Sequence, residues 1–261
     1  MVPTLKASTG RGLGYAVPRM QDADRSSGLL IALPAWNEER NLAAVLDELR
    51  GAWPAARLLV VDDASTDGTA ALARGLGAEV LSLPFHLGYG AAVQTGIKYA
   101  LRGGYGVVVT FDADGQHDPA DVGGLLAALA GGADLAVGSR ALAEGSYRGS
   151  LARRWGRRLF GTVARLLTGL ELTDPTSGLK ALGRRAQVLY ALSRFPDRYP
   201  DADALVLTQR ARLTIVERPA RMRPSLNRRS MHDGARGVAY AFNMLFSLVV
   251  AATGTERDLR R

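Results

Sequence analysis

Short apolar runs alternate with amphipathic stretches through the first half of the chain. Residues 29–34, LLIALP, form an unbroken apolar run closed by proline, the pattern of a strand buried on both faces. Residues 39–49 then place Leu42, Val45, Leu46 and Leu49 at helical spacing. The alternation continues, with strands predicted at 58–61, 79–83, 107–111 and 135–137 and helices at 69–76, 91–101 and 122–130. The run VVVTF at 107–111 is too rich in β-branched residues to favour a helix. Such alternation predicts an α/β fold: a Rossmann-like, mostly parallel sheet with helices on both faces. Beyond Ser139 the pattern loosens. Residues 151–167 read as a long arginine-bearing helix, 179–182 and 213–216 as strands, and 204–212 as a helix.

In open sheets of this kind a ligand binds beyond the carboxyl ends of the strands. Polar groups collect at those points: Asn37 and Glu38 after the first strand, Asp62 and Asp63 after the second, Asp112 and Asp114 after the fourth. A packed core has no use for carboxylates there. Asp112 and Asp114, one residue apart at a strand end, can face a single pocket. Two such groups suit a hard divalent cation, Mg²⁺ or Mn²⁺, that keeps a phosphate among its ligands, and Gln116 can add a neutral oxygen. The alternative is a plain turn in which Asp118, ahead of Pro119, caps the next helix. Asp62 and Asp63 can accept hydrogen bonds from a base N–H and ribose hydroxyls, whereas Ser65, Thr66 and Asp67 suit a helix N-terminus. The small residues of Gly88-Tyr89-Gly90-Ala91-Ala92 permit close backbone approach to a phosphate, and a tight turn accounts for them equally well.

Length and composition narrow the setting. At 261 residues and 47% hydrophobic content the chain suits one large α/β domain or one domain with a small appendage. There is no cysteine, which excludes disulfides and thiolate chemistry and fits a cytoplasmic setting. The formal charge of +8 is unevenly placed: residues 140–236 hold twenty Lys and Arg against eight Asp and Glu. That imbalance predicts an anionic partner: phosphates, an anionic membrane surface or nucleic acid. The expected organisation is a loose leader at 1–28, without the apolar core of a signal peptide, a catalytic domain at 29–233, and an apolar helix with a basic tail at 234–261. Residues 238–252 are apolar on nearly every face, yet at ~1.5 Å per residue they reach only about 22 Å, short of a ~30 Å hydrocarbon core. Docking peripherally on the cytoplasmic membrane face, packing against its own domain and pairing in a homodimer all remain open for them. Nucleic acid is disfavoured as the partner, because carboxylates at three strand ends would face its phosphates.

The segments Pro34-Ala35-Trp36-Asn37-Glu38, Asp62 to Thr69, Gly88 to Ala92, Asp112 to His117, Gly138-Ser139-Arg140 and Asp174-Pro175-Thr176-Ser177-Gly178 follow one another in that order. Together they resemble the family 2 glycosyltransferases of GT-A fold, and most of all the polyprenyl-phosphate sugar transferases such as dolichol-phosphate mannose synthase. The resemblance covers roughly residues 29–231. It implies an inverting transfer of a sugar from a UDP- or GDP-linked donor to an acceptor, polyprenyl phosphate being favoured over a hydroxyl. Pro34, Trp36, Glu38, Asp62, Asp63 and Gly90 would then hold the nucleotide sugar, with Asp112 and with Arg223, Arg228 or Arg229 at the diphosphate. Asp112, Asp114 and Gln116 would carry the metal, with Asp114 counted as catalytic. Arg140 and Arg153 would meet the acceptor phosphate, and 174–178 would lie by the acceptor. With a hydroxyl acceptor a base is needed, and Asp203 or Asp201 is the candidate, unless these cap the following helix. The sequence departs from the family in carrying Trp36 where tyrosine is usual and His86 where asparagine is common. His117, beside the metal motif, would support the metal ligands from behind.

Overall fold

The computed structural model describes residues 28–143, 172–193 and 202–223. The first 27 residues, the helix expected at 151–167 with Arg153, Asp201, Arg228, Arg229 and the segment 234–261 lie outside the described residues.

The apolar run at the start becomes strand β1 (Leu29–Ala35). Its side chains alternate between two cores. Ile31, Leu33 and Ala35 join helix α1 (Glu39–Ala52) through Leu42, Val45, Leu46 and Leu49. Leu30 and Ala32 join helix α3 (Tyr89–Arg102) through Ala92, Val93 and Ile97. A strand buried on both faces needs this continuous apolar sequence. Strand β2 (Arg57–Asp62) repeats the arrangement, and β3 (Glu79–Ser82) follows helix α2 (Thr69–Gly75). Strand β4 (Val107–Thr110), a 3₁₀ turn at Pro119–Asp121, helix α4 (Val122–Ala130) and strand β5 (Leu135–Ser139) complete the first half. Strand β6 (Lys180–Leu182), helices α5 (Arg184–Leu192) and α6 (Ala202–Arg210) and strand β7 (Ile215–Pro219) come after the loop at 172–179. Helix α5 was not expected from the sequence. Its buried face is Ala186, Gln187, Tyr190 and Ala191, too polar and small to register as an apolar stripe.

Among the described residues seven strands order as β3-β2-β1-β4-β6-β5-β7, parallel except for β6, which runs against both neighbours. Ala35 pairs with Asp62 across β1 and β2, while Thr110 pairs with Ala32 and with Lys180. The carboxyl ends of β1, β2, β4, β5 and β7 therefore share one edge. The reversed β6 brings the amino end of its strand, and the loop before it, to that same edge.

Helix α3 seats closely on β1 at Gly96, where an added Cβ would stand 2.9 Å from the Cβ of Ala32. Glycine to alanine within a helix ordinarily gains about 1 kcal/mol. Overpacking a close interface costs about 1–3 kcal/mol, and here it is the larger effect. Gly96→Ala is accordingly expected to lose up to about 2 kcal/mol of stability net. Chemical denaturation measures this, and a gain in stability would contradict the close contact.

Candidate active site

The loops after β1 and β2 zip together. Asn37 takes the left-handed conformation, φ 57°, and its side-chain oxygen accepts from the Thr66 N–H at 2.8 Å. The Asn37 N–H donates to Ser65 Oγ and the Glu38 N–H to Thr69 Oγ1, each at 2.9 Å. Asp67 accepts from both the N–H and the hydroxyl of Thr69 at the start of α2, while the N-cap position itself is Gly68, not one of the side chains expected there. Asparagine suits Asn37's position because its short amide tolerates left-handed backbone while bonding locally. The zip leaves Trp36 standing out at the edge, stacked on His86 with centroids 4.3 Å apart.

Asp62 and Asp63 are both buried, with different partners. Asp62 Oδ1 accepts from the Ser65 N–H at 3.1 Å. Both oxygens of Asp63 meet the loop before α3: Oδ1 accepts from the Leu87 N–H at 2.7 Å and Oδ2 from the Gly88 N–H at 2.9 Å. His86 Nδ1 lies 2.9 Å from Oδ2 as well. Gly88 has φ 104°, a conformation that only glycine takes without strain. Gly90 is buried in the first turn of α3.

Beyond β4 stands Asp112. The Tyr89 hydroxyl donates to its Oδ1 at 2.8 Å, and His117 Nε2 lies 3.0 Å from its Oδ2. A carboxylate can only accept, so Nε2 carries the proton. Burial by itself would raise the Asp112 carboxyl, but the hydrogen bond and charge of His117, the Tyr89 hydroxyl and the Lys180 ammonium hold it below the usual aspartate range. Asp114 goes the other way. Burial, then the negative charge of Asp112, push it up to about 6, against a hydrogen bond from the Gln116 N–H at 3.0 Å. Glu38 faces the same group. Burial raises it first, relieved by the Asn41 amide at 2.6 Å, with Asp114, Asp112 and Asp67 raising it further. Three carboxylates thus crowd one small region, and a divalent cation is the species that this excess negative charge best accommodates.

Across the edge lies a basic and acidic lock. Arg140 follows β5, and its Nε and Nη2 donate to the two oxygens of Asp174 at 2.5 and 2.6 Å. Nη2 also donates to Thr176 Oγ1 at 2.9 Å, and the Arg140 N–H to Asp174 at 3.1 Å. Asp174 is fully buried. Glu217 of β7 accepts from the N–H groups of Thr173 and Asp174 and from the Thr173 hydroxyl. The loop so held ends at Gly178, where a Cβ would fall 2.4 Å from Asp112 Oδ2. On the outer side the Met222 backbone bridges His117, and the Arg223 N–H donates to the Gln116 carbonyl at 2.8 Å.

The sequence model of Glycosyl transferase family 2 matches residues 30–187 of this architecture. The chain belongs to that family. Polyprenol monophosphomannose synthase of Mycolicibacterium smegmatis is 39% identical over 162 residues, 59% of this chain and 61% of that protein's length. Undecaprenyl-phosphate mannosyltransferase of Micrococcus luteus is 38% identical over 173 residues, covering 63% of this chain and 69% of that one. Among solved structures, glucosyl-3-phosphoglycerate synthase of Mycobacterium tuberculosis, in complex with Mn²⁺, UDP and glucosyl-3-phosphoglycerate, superposes with TM-score 0.67 at 23% identity. It covers 87% of this chain and 80% of its own. At that identity the likeness is one of fold.

The structure gathers Glu38, Asp112 and Asp114 into one charged cluster, with the Gln116 N–H bonded to Asp114. Pro34 is buried at the end of β1 and Trp36 is exposed beside it. Arg223 points its guanidinium to Glu48 at 2.6 Å, with Asp118 at 3.7 Å. Asp203 lies in α6. Three residues escaped the sequence reading: Tyr89, noticed only for its glycine neighbours, Lys180 and Glu217. The available signal for the last two was a charge inside a short apolar strand, LKAL and TIVERP.

Two outcomes are expected. An acid raised in the folded state adds stability below its unfolded value of 3.8, and loses that contribution as pH passes about 6. Without added metal, Asp114→Asn at neutral pH should therefore be more stable than wild type by on the order of 2 kcal/mol, the difference fading by about pH 4. Urea melts at the two pH values read this directly. Equal stability at both would show no electrostatic strain at Asp114. The second concerns the lock: Arg140→Ala leaves Asp174 buried without its main partner and should cost about 3–5 kcal/mol. A variant as stable as wild type would free Arg140 from this structural duty.

Proposed function

We propose that this glycosyltransferase moves a sugar, with inversion, from a nucleoside-diphosphate sugar to a polyprenyl phosphate, using Mg²⁺ or Mn²⁺. The observation that carries the metal reading is the carboxylate cluster, in which Asp112 stays ionised while Asp114 is pushed up beside it. Among the described residues no three acidic or histidine side chains form a ready metal cage. A pair of carboxylates that leaves ligand positions for phosphate oxygens and water suits Mg²⁺ or Mn²⁺ better than a closed site. Asp112 and Asp114 would hold the ion, with Gln116 beside them. The ion would neutralise charge on the departing nucleoside diphosphate as a Lewis acid.

The rest falls to the chain. Pro34, Trp36 and Glu38 line the nucleoside end, and the exposed Trp36–His86 stack offers an aromatic face to a base. Asp62 remains available there through its second oxygen, whereas Asp63 holds the turn that presents Gly88 to Gly90. The Arg140–Asp174–Thr176 lock forms a rigid wall on the acceptor side. Because its fork is held by Asp174, Arg140 places the wall, and Arg153 is left to meet an acceptor phosphate directly. An anionic acceptor needs no general base, so the carboxylates need serve only the donor. Support for a lipid phosphate comes from the names of the two relatives described above, a polyprenol monophosphomannose synthase and an undecaprenyl-phosphate mannosyltransferase. Among the described residues no helix is long and apolar enough to cross a membrane. A water-soluble donor and a lipid acceptor would meet at a membrane surface, for which the cytoplasmic face and the basic, apolar segment 234–261 are proposed.

The test supplies the purified full chain with polyprenyl phosphate and labelled GDP-mannose, UDP-glucose or UDP-N-acetylglucosamine. Label is expected in the organic phase with one donor, dependent on Mn²⁺ or Mg²⁺ and abolished by chelator. Asp114→Asn should lower turnover by at least about 100-fold, as for loss of a transition-state electrostatic contact. Label confined to water-soluble acceptors would establish the hydroxyl reading instead. Consumption of no nucleotide sugar would refute both.

A further inference from the structure

The Asp112 carboxylate is enclosed by three separate parts of the chain. Tyr89, the first residue of α3, donates its hydroxyl to Oδ1 at 2.8 Å. His117, five residues further along, holds Oδ2 at 3.0 Å. Gly178 presses from the third side, where a Cβ would fall 2.4 and 2.7 Å from the two oxygens and 2.7 Å from the Tyr89 hydroxyl. An aspartate's last torsion is soft and broadly populated, so its oxygens face a fixed direction only when something holds them. Here one donor holds each oxygen.

The ring of Tyr89 lines a crevice with Val93, Ile97, Thr110, Gly178 and Lys180. Phenylalanine would fill that space equally, so packing does not account for the hydroxyl. The position of the ring is itself determined from a distance. Asp63, at the end of β2, clamps the Leu87 and Gly88 N–H groups and so fixes where α3 begins.

We propose that Tyr89 is a positioning residue for the cation and diphosphate centre, its hydroxyl aiming the Asp112 carboxylate, and that Asp63 acts through the Leu87–Gly88 turn to place that hydroxyl. This rests on the reading of Asp112 as a ligand of the divalent cation. It links the nucleoside end of the site to its metal end through the start of one helix. Groups that orient a metal ligand from behind typically contribute about 10–100-fold to metal affinity. With His117 still in place, the lower end of that range applies to Tyr89.

The test is Mn²⁺ binding by electron paramagnetic resonance, with Mn²⁺ alone and with UDP or GDP, on wild type, Tyr89→Phe, Asp63→Asn, the double variant and Asp112→Asn. Thermal melting accompanies each. Tyr89→Phe is expected to weaken Mn²⁺ about tenfold at an unchanged melting temperature. Asp63→Asn, which cannot accept both N–H groups, should weaken Mn²⁺ in the same direction, and the double variant should be no weaker than Tyr89→Phe. A purely structural tyrosine would shift the melting temperature and leave Mn²⁺ affinity alone, which overturns the proposal. Additive losses in the double variant would show Asp63 acting by another route and overturn that link. If wild type and Asp112→Asn bind Mn²⁺ alike, the metal reading itself has failed, and the proposal fails with it. That result is distinct from a Tyr89→Phe protein that binds Mn²⁺ like a wild type whose binding does depend on Asp112.

Discussion

Parallel strands collect their carboxyl ends at one edge, and in this protein that edge carries more negative charge than its surroundings can comfortably hold. Glu38, Asp62, Asp63, Asp112 and Asp114 all arrive there because β1, β2 and β4 run side by side in register. Burying ionised carboxylates is costly unless each finds donors. Much of the local structure can be understood as the provision of those donors: backbone N–H groups for Asp62 and Asp63, a hydroxyl and an imidazole for Asp112.

The acids divide by how far that provision goes. Asp63 is matched on both oxygens and serves the turn before α3. Asp112 is matched on both oxygens yet remains at the mouth of the site, oriented and ionised. Asp114 accepts from the Gln116 N–H, yet burial and the Asp112 charge outweigh its hydrogen bonds and push it up to about 6. The edge thus holds one carboxylate lowered by its donors beside a neighbour raised by burial and by that first charge. Perturbed acids of this kind tend to gather at functional sites.

The opposite wall follows the same logic with the signs exchanged. Asp174 is fully buried, and the Arg140 fork meets it in bidentate fashion as its charged partner. Glu217 receives the two N–H groups at the start of that loop. The loop ends with Gly178 directly against the Asp112 carboxylate, so the two walls of the edge share a contact. Only glycine allows it, since the space that a Cβ would need is taken by carboxylate and tyrosine oxygens.

Local pattern was enough to reveal β1, β2, β4, α1 and α4, because unbroken apolar runs and helical spacing follow directly from burial on two faces or one. It was also enough to mark Glu38, Asp62, Asp63, Asp112 and Asp114, since charge at the end of an apolar strand contradicts packing. The antiparallel entry of β6 between β4 and β5 could not be read, because a three-residue strand carries no directional signal and its pairing joins residues some seventy positions apart. Helix α5 was hidden for a related reason: its buried face includes Gln187, whose amide bonds the Gly106 and Leu182 carbonyls. Roles were hidden most of all. Asp63 and Asp112 look alike in sequence, each an acid after a strand, and Arg140 looks like a phosphate ligand. The sequence by itself determined which groups reach the edge of the sheet; the tertiary structure alone decided which of them find internal partners, because hydrogen-bond donors such as Tyr89, Leu87 and Arg140 are brought to those acids only when distant elements pack.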